Sequence, residues 1–259
     1  MKKLSTILLS AALILSLAGC GKAQDPKEIY DAASKKSQEL TSVDASCVMD
    51  MNMTQGEETM DISMDMDMKI TGVNTDSMRY LMDGTTSTMG QSMDTHMYYE
   101  AGYCYMDLMG QKVKYAMDLD QITEQVTQSL GSSTMDSSYM SDIKAEKDGD
   151  NQILTFTADA SKMDSYAKEL MGTMGDTMEG LGDVEYTIKS VTGESVVNKD
   201  GYFSSAKVKM DMDMTMEGET VSLTMDMNVT YNNPGQDVEI TAPTDLDSYM
   251  EVDPSMLGM

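Results

Sequence analysis

The 259-residue chain has no tryptophan, two phenylalanines, one histidine, four prolines and three cysteines. A single histidine leaves His96 alone to serve a Ser/His/Asp site, and nothing near it marks a partner nucleophile. There is no Gly-x-Ser-x-Gly, no His-Glu-x-x-His and no Gly-rich phosphate loop. Enzyme chemistry finds no support. No calcium loop of EF-hand type occurs either, and Asp148-Gly149-Asp150 is too short to be one. Basic residues are scarce: 18 Lys and Arg stand against 44 Asp and Glu, a formal charge of −26. Such a surface repels nucleic acid and bare anionic lipid. High charge with few aromatics can mark disorder. Here the hydrophobic fraction is 41% and periodic, so the chain reads as a folded domain.

Methionine fills much of what is missing, with 31 residues, supported by 13 tyrosines. Its flexible thioether packs irregular spaces and suits surfaces that accept varied apolar partners. The spacing is the main signal. Ala45, Cys47, Met49, Met51 and Met53 alternate with polar residues, Val48 excepted. After a Gln55-Gly56-Glu57 turn, Met60, Ile62, Met64, Met66, Met68 and Ile70 do the same. A period of two predicts strands with one buried and one wet face; in a helix these side chains would point all round the axis. Shorter runs (Met78, Tyr80 and Met82; Thr95, Met97 and Tyr99; Tyr103 and Tyr105; Val113, Tyr115 and Met117) predict a meander of hairpins. Helices are expected over 25–40, with Asp25 as N-cap and Pro26 at the first position, and over 119–130. Residues 131–141 are Ser-rich.

The second half repeats the plan. A hairpin is expected over 143–158 and a helix over 161–178. Strands follow at 184–192, 195–199, 202–216 and 220–231, with a last one at Val238-Glu239-Ile240. Residues 49–70 align without a gap to 210–231, ten of 22 positions being identical. This points to two half-sheets fused into one. Residues 25–243 form one domain on this reading, and 244–259 an acidic, loosely held tail.

The front of the chain carries an address. Met1-Lys2-Lys3 precedes an apolar run from Leu4 to Leu17, too short to span a bilayer of about 30 Å. Residues 1–19 read as a signal peptide. Leu17-Ala18-Gly19-Cys20 resembles the bacterial lipobox, which implies cleavage before Cys20, acylation of its thiol and anchoring on the outer face of a membrane; residues 20–24 are then a tether. Cys47 and Cys104 could form one disulfide or stay as two buried thiols.

Three readings compete for the methionine face. It is a packed core, or a groove for an acyl chain or similar apolar ligand, or a soft Cu(I) site built from thioethers. The groove reading names Met49, Met51 and Met53 with Met64, Met66 and Met68 on one long hairpin. It names Met210, Met212, Met214, Met225 and Met227 on the other, and Tyr80, Met97 and Tyr105 on the short strands. No cofactor or metal is assigned. The acidic comb Asp50, Asp65, Asp67, Asp211, Asp213 and Asp226 reads as a solvated sheet face.

The lipobox, the polar tether, a helix ending near Glu39-Leu40-Thr41-Ser42-Val43, the long alternating hairpins and a late Ile240-Thr241-Ala242-Pro243 together resemble the LolA-like and LppX/LprG-like lipoproteins. Small clostridial-type lipoproteins of unknown function share the look. The resemblance implies an α+β fold: a large curved antiparallel half-barrel with about three helices in its concavity, holding lipid. The chain departs from that pattern in using Met where Leu, Val and Phe are common. The expected function is a non-enzymatic, membrane-anchored binder or carrier of a hydrophobic ligand. The alternative is a structural or interaction lipoprotein of the envelope with a filled core.

Overall fold

The computed structural model describes residues 24–73, 75–123, 126, 135–163, 165–166, 184–216 and 218–254. The expected signal peptide, Cys20, most of the tether and much of the expected helices over 119–130 and 161–178 lie outside the described residues.

Helix α1 spans Pro26–Gln38. Asp25 caps it: its carboxylate accepts from the backbone N–H of Lys27 at 2.9 Å. Pro26 then starts the helix at a position where the N–H it lacks would have had no partner within the helix. Lys35 and Lys36 sit in the last turn, where cations oppose the helix dipole favourably. Ile29, Tyr30 and Ala33 form its buried stripe.

Six strands follow as one meander: β1 (Ser42–Gln55), β2 (Glu58–Thr71), β3 (Arg79–Thr88), β4 (Gln91–Glu100), β5 (Tyr103–Leu108) and β6 (Gln111–Ala116). A second run holds β7 (Met140–Asp148), β8 (Asn151–Ala158), β9 (Val184–Val197), β10 (Phe203–Met216) and β11 (Glu219–Tyr231), with β12 (Met250–Glu251) near the end. All twelve make one open curved sheet, in the order β12-β6-β5-β4-β3-β2-β1-β11-β10-β9-β8-β7. Every pair is antiparallel except β12 with β6.

The two runs meet at β1 and β11, so the similar hairpins β10–β11 and β1–β2 lie side by side. Met210 opposes Met225, which opposes Met51. The repeat alone would have matched Met210 with Met49. Each hairpin is therefore staggered by two residues against the next, the kind of shear that accompanies a tilted, curling sheet.

Two cores flank the centre. In the first, α1 packs on β7–β10 through Tyr30, Phe156, Phe203, Val208, Met210 and Met212. The Tyr30 hydroxyl donates to the Met135 carbonyl at 2.9 Å. The second gathers Ile70, Tyr80, Tyr99, Cys104 and Tyr115 with Ile122 and Val126 from the other helical stretch.

Several expectations need correction. One helix is described along its length, and helical residues recur at 119–123 and from 163, so three full helices are not seen among the described residues. The strands expected at 184–192 and 195–199 are one strand, β9. Gly193 does not break it, because it pairs with Val208 on one side and Phe156 on the other. Val238-Glu239-Ile240 is not a strand; the last strand is β12, inside the segment expected to be loose. Tyr249 meets Tyr105 edge-on at 5.5 Å, Lys112 pairs with Asp245, and the Val252 N–H donates to the Lys114 carbonyl at 3.0 Å.

Candidate functional site

The register turns the sequence alternation into a lattice of side chains on one face. Its rows cross the four central strands: Val208, Met227, Met49 and Met64, then Met210, Met225, Met51 and Ile62, then Met212, Leu223, Met53 and Met60. Neighbours in a row stand about 4.5–5.5 Å apart at Cα, and rows about 6.5–7 Å apart, twice the strand rise.

Burial divides this lattice. Met210 and Met212 are buried in the first core, and Met214, Met225 and Met227 pack partly against it. Tyr80 is buried in the second core, and Met68 and Met97 lean on it. Between the two lie Met49, Met51, Met53, Met64 and Met66, each half-buried and, among the described residues, belonging to neither core. The structure thus leaves a strip of thioethers along β1 and β2. Cys47, Met60 and Ile62 complete it. The groove reading did not name them, although their alternation with Met49 and Met64 marked the same face.

Tyr105 is not on this face. It pairs with Tyr98 and Lys114 and stacks with Tyr98, Tyr103 and Tyr249 on the opposite side, at ring separations of 6.1, 6.5 and 5.5 Å.

That opposite side carries the acidic comb. Serines partner several carboxylates: Ser46 donates to Asp67 at 2.6 Å, Ser190 to Asp211 at 2.7 Å and Ser222 to Asp213 at 2.7 Å. Asp50 faces Asp226 directly, a like-charge pair that costs stability. Lys209 offsets it at 2.6 Å from Asp226. His96 lies here too, 2.6 Å from Asp83, away from the thioether strip. A shallow depression on this face is lined by Asp44, Asp67, Lys69, Leu81, Asp83 and Asn232. Among the described residues no group of three His, Cys, Asp or Glu could hold a metal ion.

Of the two alternatives open for the cysteines, the structure has the free thiols: Cys47 is half-buried and Cys104 buried, and neither is bonded. They sit on β1 and β5, four strand spacings apart, about 19 Å of sheet. Burial pushes both thiols up, with Asp65 adding to the effect at Cys47. They stay protonated and poorly nucleophilic at neutral pH.

Burial also lifts the phenols of Tyr80 and Tyr98, each to about 12, since a phenolate there would lose its water. In the unfolded chain a tyrosine ionises near pH 10. The unfolded state therefore releases these protons first, and the stability they confer, intact below about pH 10, is lost between about pH 10 and 12. Urea midpoints should hold steady to about pH 9.5 and fall above about pH 10; Tyr80→Phe should flatten the fall.

No helix among the described residues is long and apolar enough to cross a membrane. No curated protein matches the chain. Among solved structures, it is similar to LprF from Mycobacterium bovis, with 13% identity, a TM-score of 0.42 and coverage of 84% of this chain and 96% of that one. A DUF1329 family protein from Desulfovibrio piger shows 13% identity, a TM-score of 0.27 and coverage of 82% and 95%. A domain from Vibrio parahaemolyticus described under outer membrane lipoprotein sorting shows 12%, 0.23, and 82% and 93%. The model of a family of unknown function, DUF6612, matches residues 25–248.

Proposed function

Given that the chain belongs to the DUF6612 family, whose function is unknown, we propose from its own geometry that it is a non-enzymatic binder of an apolar ligand, a lipid or acyl chain, held at the outer face of a membrane through Cys20. The observation that carries this reading is the half-buried strip of Met49, Met51, Met53, Met64 and Met66 between two finished cores. A folded sheet gains by covering such side chains. An acyl chain laid along the strip would gain about 0.8 kcal/mol for each CH₂ removed from water. Flexible thioethers would shape themselves to chains of different length. The lipobox-like Leu17-Ala18-Gly19-Cys20 supports the anchor, since two or more acyl chains hold a protein stably on a bilayer.

Native mass spectrometry of the protein extracted gently from membranes should show bound lipid, and the delipidated protein should take up palmitate. A single apo mass together with no uptake would overturn the reading.

A further inference from the structure

Two hairpin tips place methionine where the backbone disfavours it. In the loops Met89-Gly90 and Met109-Gly110, both residues have positive φ, the methionines at 51° each. Two-residue loops of this shape favour Asn, Asp or Gly first, because a larger side chain is strained in the left-handed region. At the opposite end of the sheet, the loop Ala101-Gly102 has the same shape with a small residue in that slot. The two methionines gain nothing from packing in return, being 82% and 72% exposed.

These tips share one rim, because β3 and β5 both run toward it. The Met109 N–H donates to the Asp94 carbonyl at 3.4 Å, holding the second tip beside Met93, which is itself 41% exposed. The tip segments themselves carry no charged residue in a chain of net −26: Gly84 to Met93 reads GTTSTMGQSM, and Leu108 to Gln111 reads LMGQ. Carboxylates stand at their borders, where Asp94 accepts from the Thr85 hydroxyl and Asp107 from the Gly110 N–H, each at 2.8 Å. Farther along the same end, Glu57, Glu58 and Glu219 flank the turns of the two long hairpins.

We infer that the rim formed by Met89, Met93 and Met109 docks on the surface of a phospholipid bilayer, the methionines entering the boundary between headgroups and acyl chains. Hydroxyls and amides of Thr86, Ser87, Ser92 and Gln91 suit a headgroup layer, and with its carboxylates engaged by Thr85 and Gly110 the rim repels a bilayer less than the rest of the surface would. The rim leads onto the strip: Met93 opposes Thr86, Thr86 opposes Met64, and Met64 opposes Met49. The inference deepens the apolar-ligand reading, on which it rests, by naming the bilayer as the place of exchange.

The absence of tryptophan makes the test direct. Met89→Trp and Met109→Trp each give a full-length chain with one reporter, and Asp150→Trp puts a reporter in the β7–β8 turn at the opposite end. Each is reconstituted in vesicles of dioleoylphosphatidylcholine with or without brominated phosphatidylcholine. Emission from positions 89 and 109 should move to shorter wavelength and lose more than half its intensity to the brominated lipid, while position 150 stays unchanged. Adding Met109→Asn to the Met89 reporter should cut that quenching about threefold without lowering thermal stability, since Asn tolerates the turn. Equal quenching at all three positions would mean proximity through the anchor alone and would overturn the inference. So would a shift without bromine quenching, which would mean a protein contact. Palmitate uptake with unquenched tips would sink the docking and leave the ligand reading standing. Quenched tips without uptake would do the reverse.

Discussion

Phe156→Ala is expected to cost about 3–5 kcal/mol of folding stability, the range for deleting a buried aromatic side chain. Phe156 joins two parts of the first core. It meets Tyr30 of α1 edge-on at 6.0 Å. Its ring also lies flat across Gly193, so closely that a Cβ there would stand 2.0 Å from Phe156 Cζ and 2.4 Å from Cε1. Gly193→Ala should therefore destabilise as well, by about 1–3 kcal/mol, because the ring must leave its place and push on the helix. The double variant separates this account from a general weakness of the strand. With the ring gone, the added methyl has room, so the two losses should sum to less than their separate values. Urea unfolding of the four proteins checks it. Full additivity would mean that Gly193 matters for something other than the ring above it.

The second large effect concerns binding. Met49→Lys with Met64→Lys puts two ammonium groups on directly opposed positions of the strip. Palmitate uptake should fall more than tenfold, because an acyl chain lying there would bury unpaired charge. Folding stability should change by less than about 1 kcal/mol, since both side chains are half-exposed and lysine can extend to water. Met210→Lys serves as the contrast. It lies in the row of Met225 and Met51 but is buried in the first core, so it should lose several kcal/mol of stability. Uptake unchanged in the double variant would remove the strip from ligand binding.

The long hairpins were legible because their alternation is strict. One face of β1 and β2 is apolar over a dozen residues each, and no other structure gives period two. The central seam was half legible. The internal similarity showed two equivalent hairpins, but the direct pairing of β1 with β11 is a contact across most of the chain that no local pattern encodes. β9 was split in two because glycine inside a strand reads as a break. The ring of Phe156, itself fixed by pairing, fills the space instead. β12 was invisible: two residues held by an edge, an aromatic contact and an ion pair have no periodicity to show. Tyr105 was misplaced among the ligand-facing residues because residue type guided the choice, whereas its parity with Tyr103 and Asp107 set it on the opposite side. The thioether strip could not be read from composition, since which methionines stay half-exposed depends on where the two cores gather.

The seam between β1 and β11 has a consequence for how the molecule comes into being. Ala45 finds Tyr231, and Met53 finds Leu223, only after the intervening chain has emerged. Contacts at such separation form late and slowly. Until then β1 waits with one side unpaired and a run of thioethers bare, an exposed edge of the kind that joins wrong partners. The hazard is greatest in the interval before β11 forms, when half of the strands can already have paired.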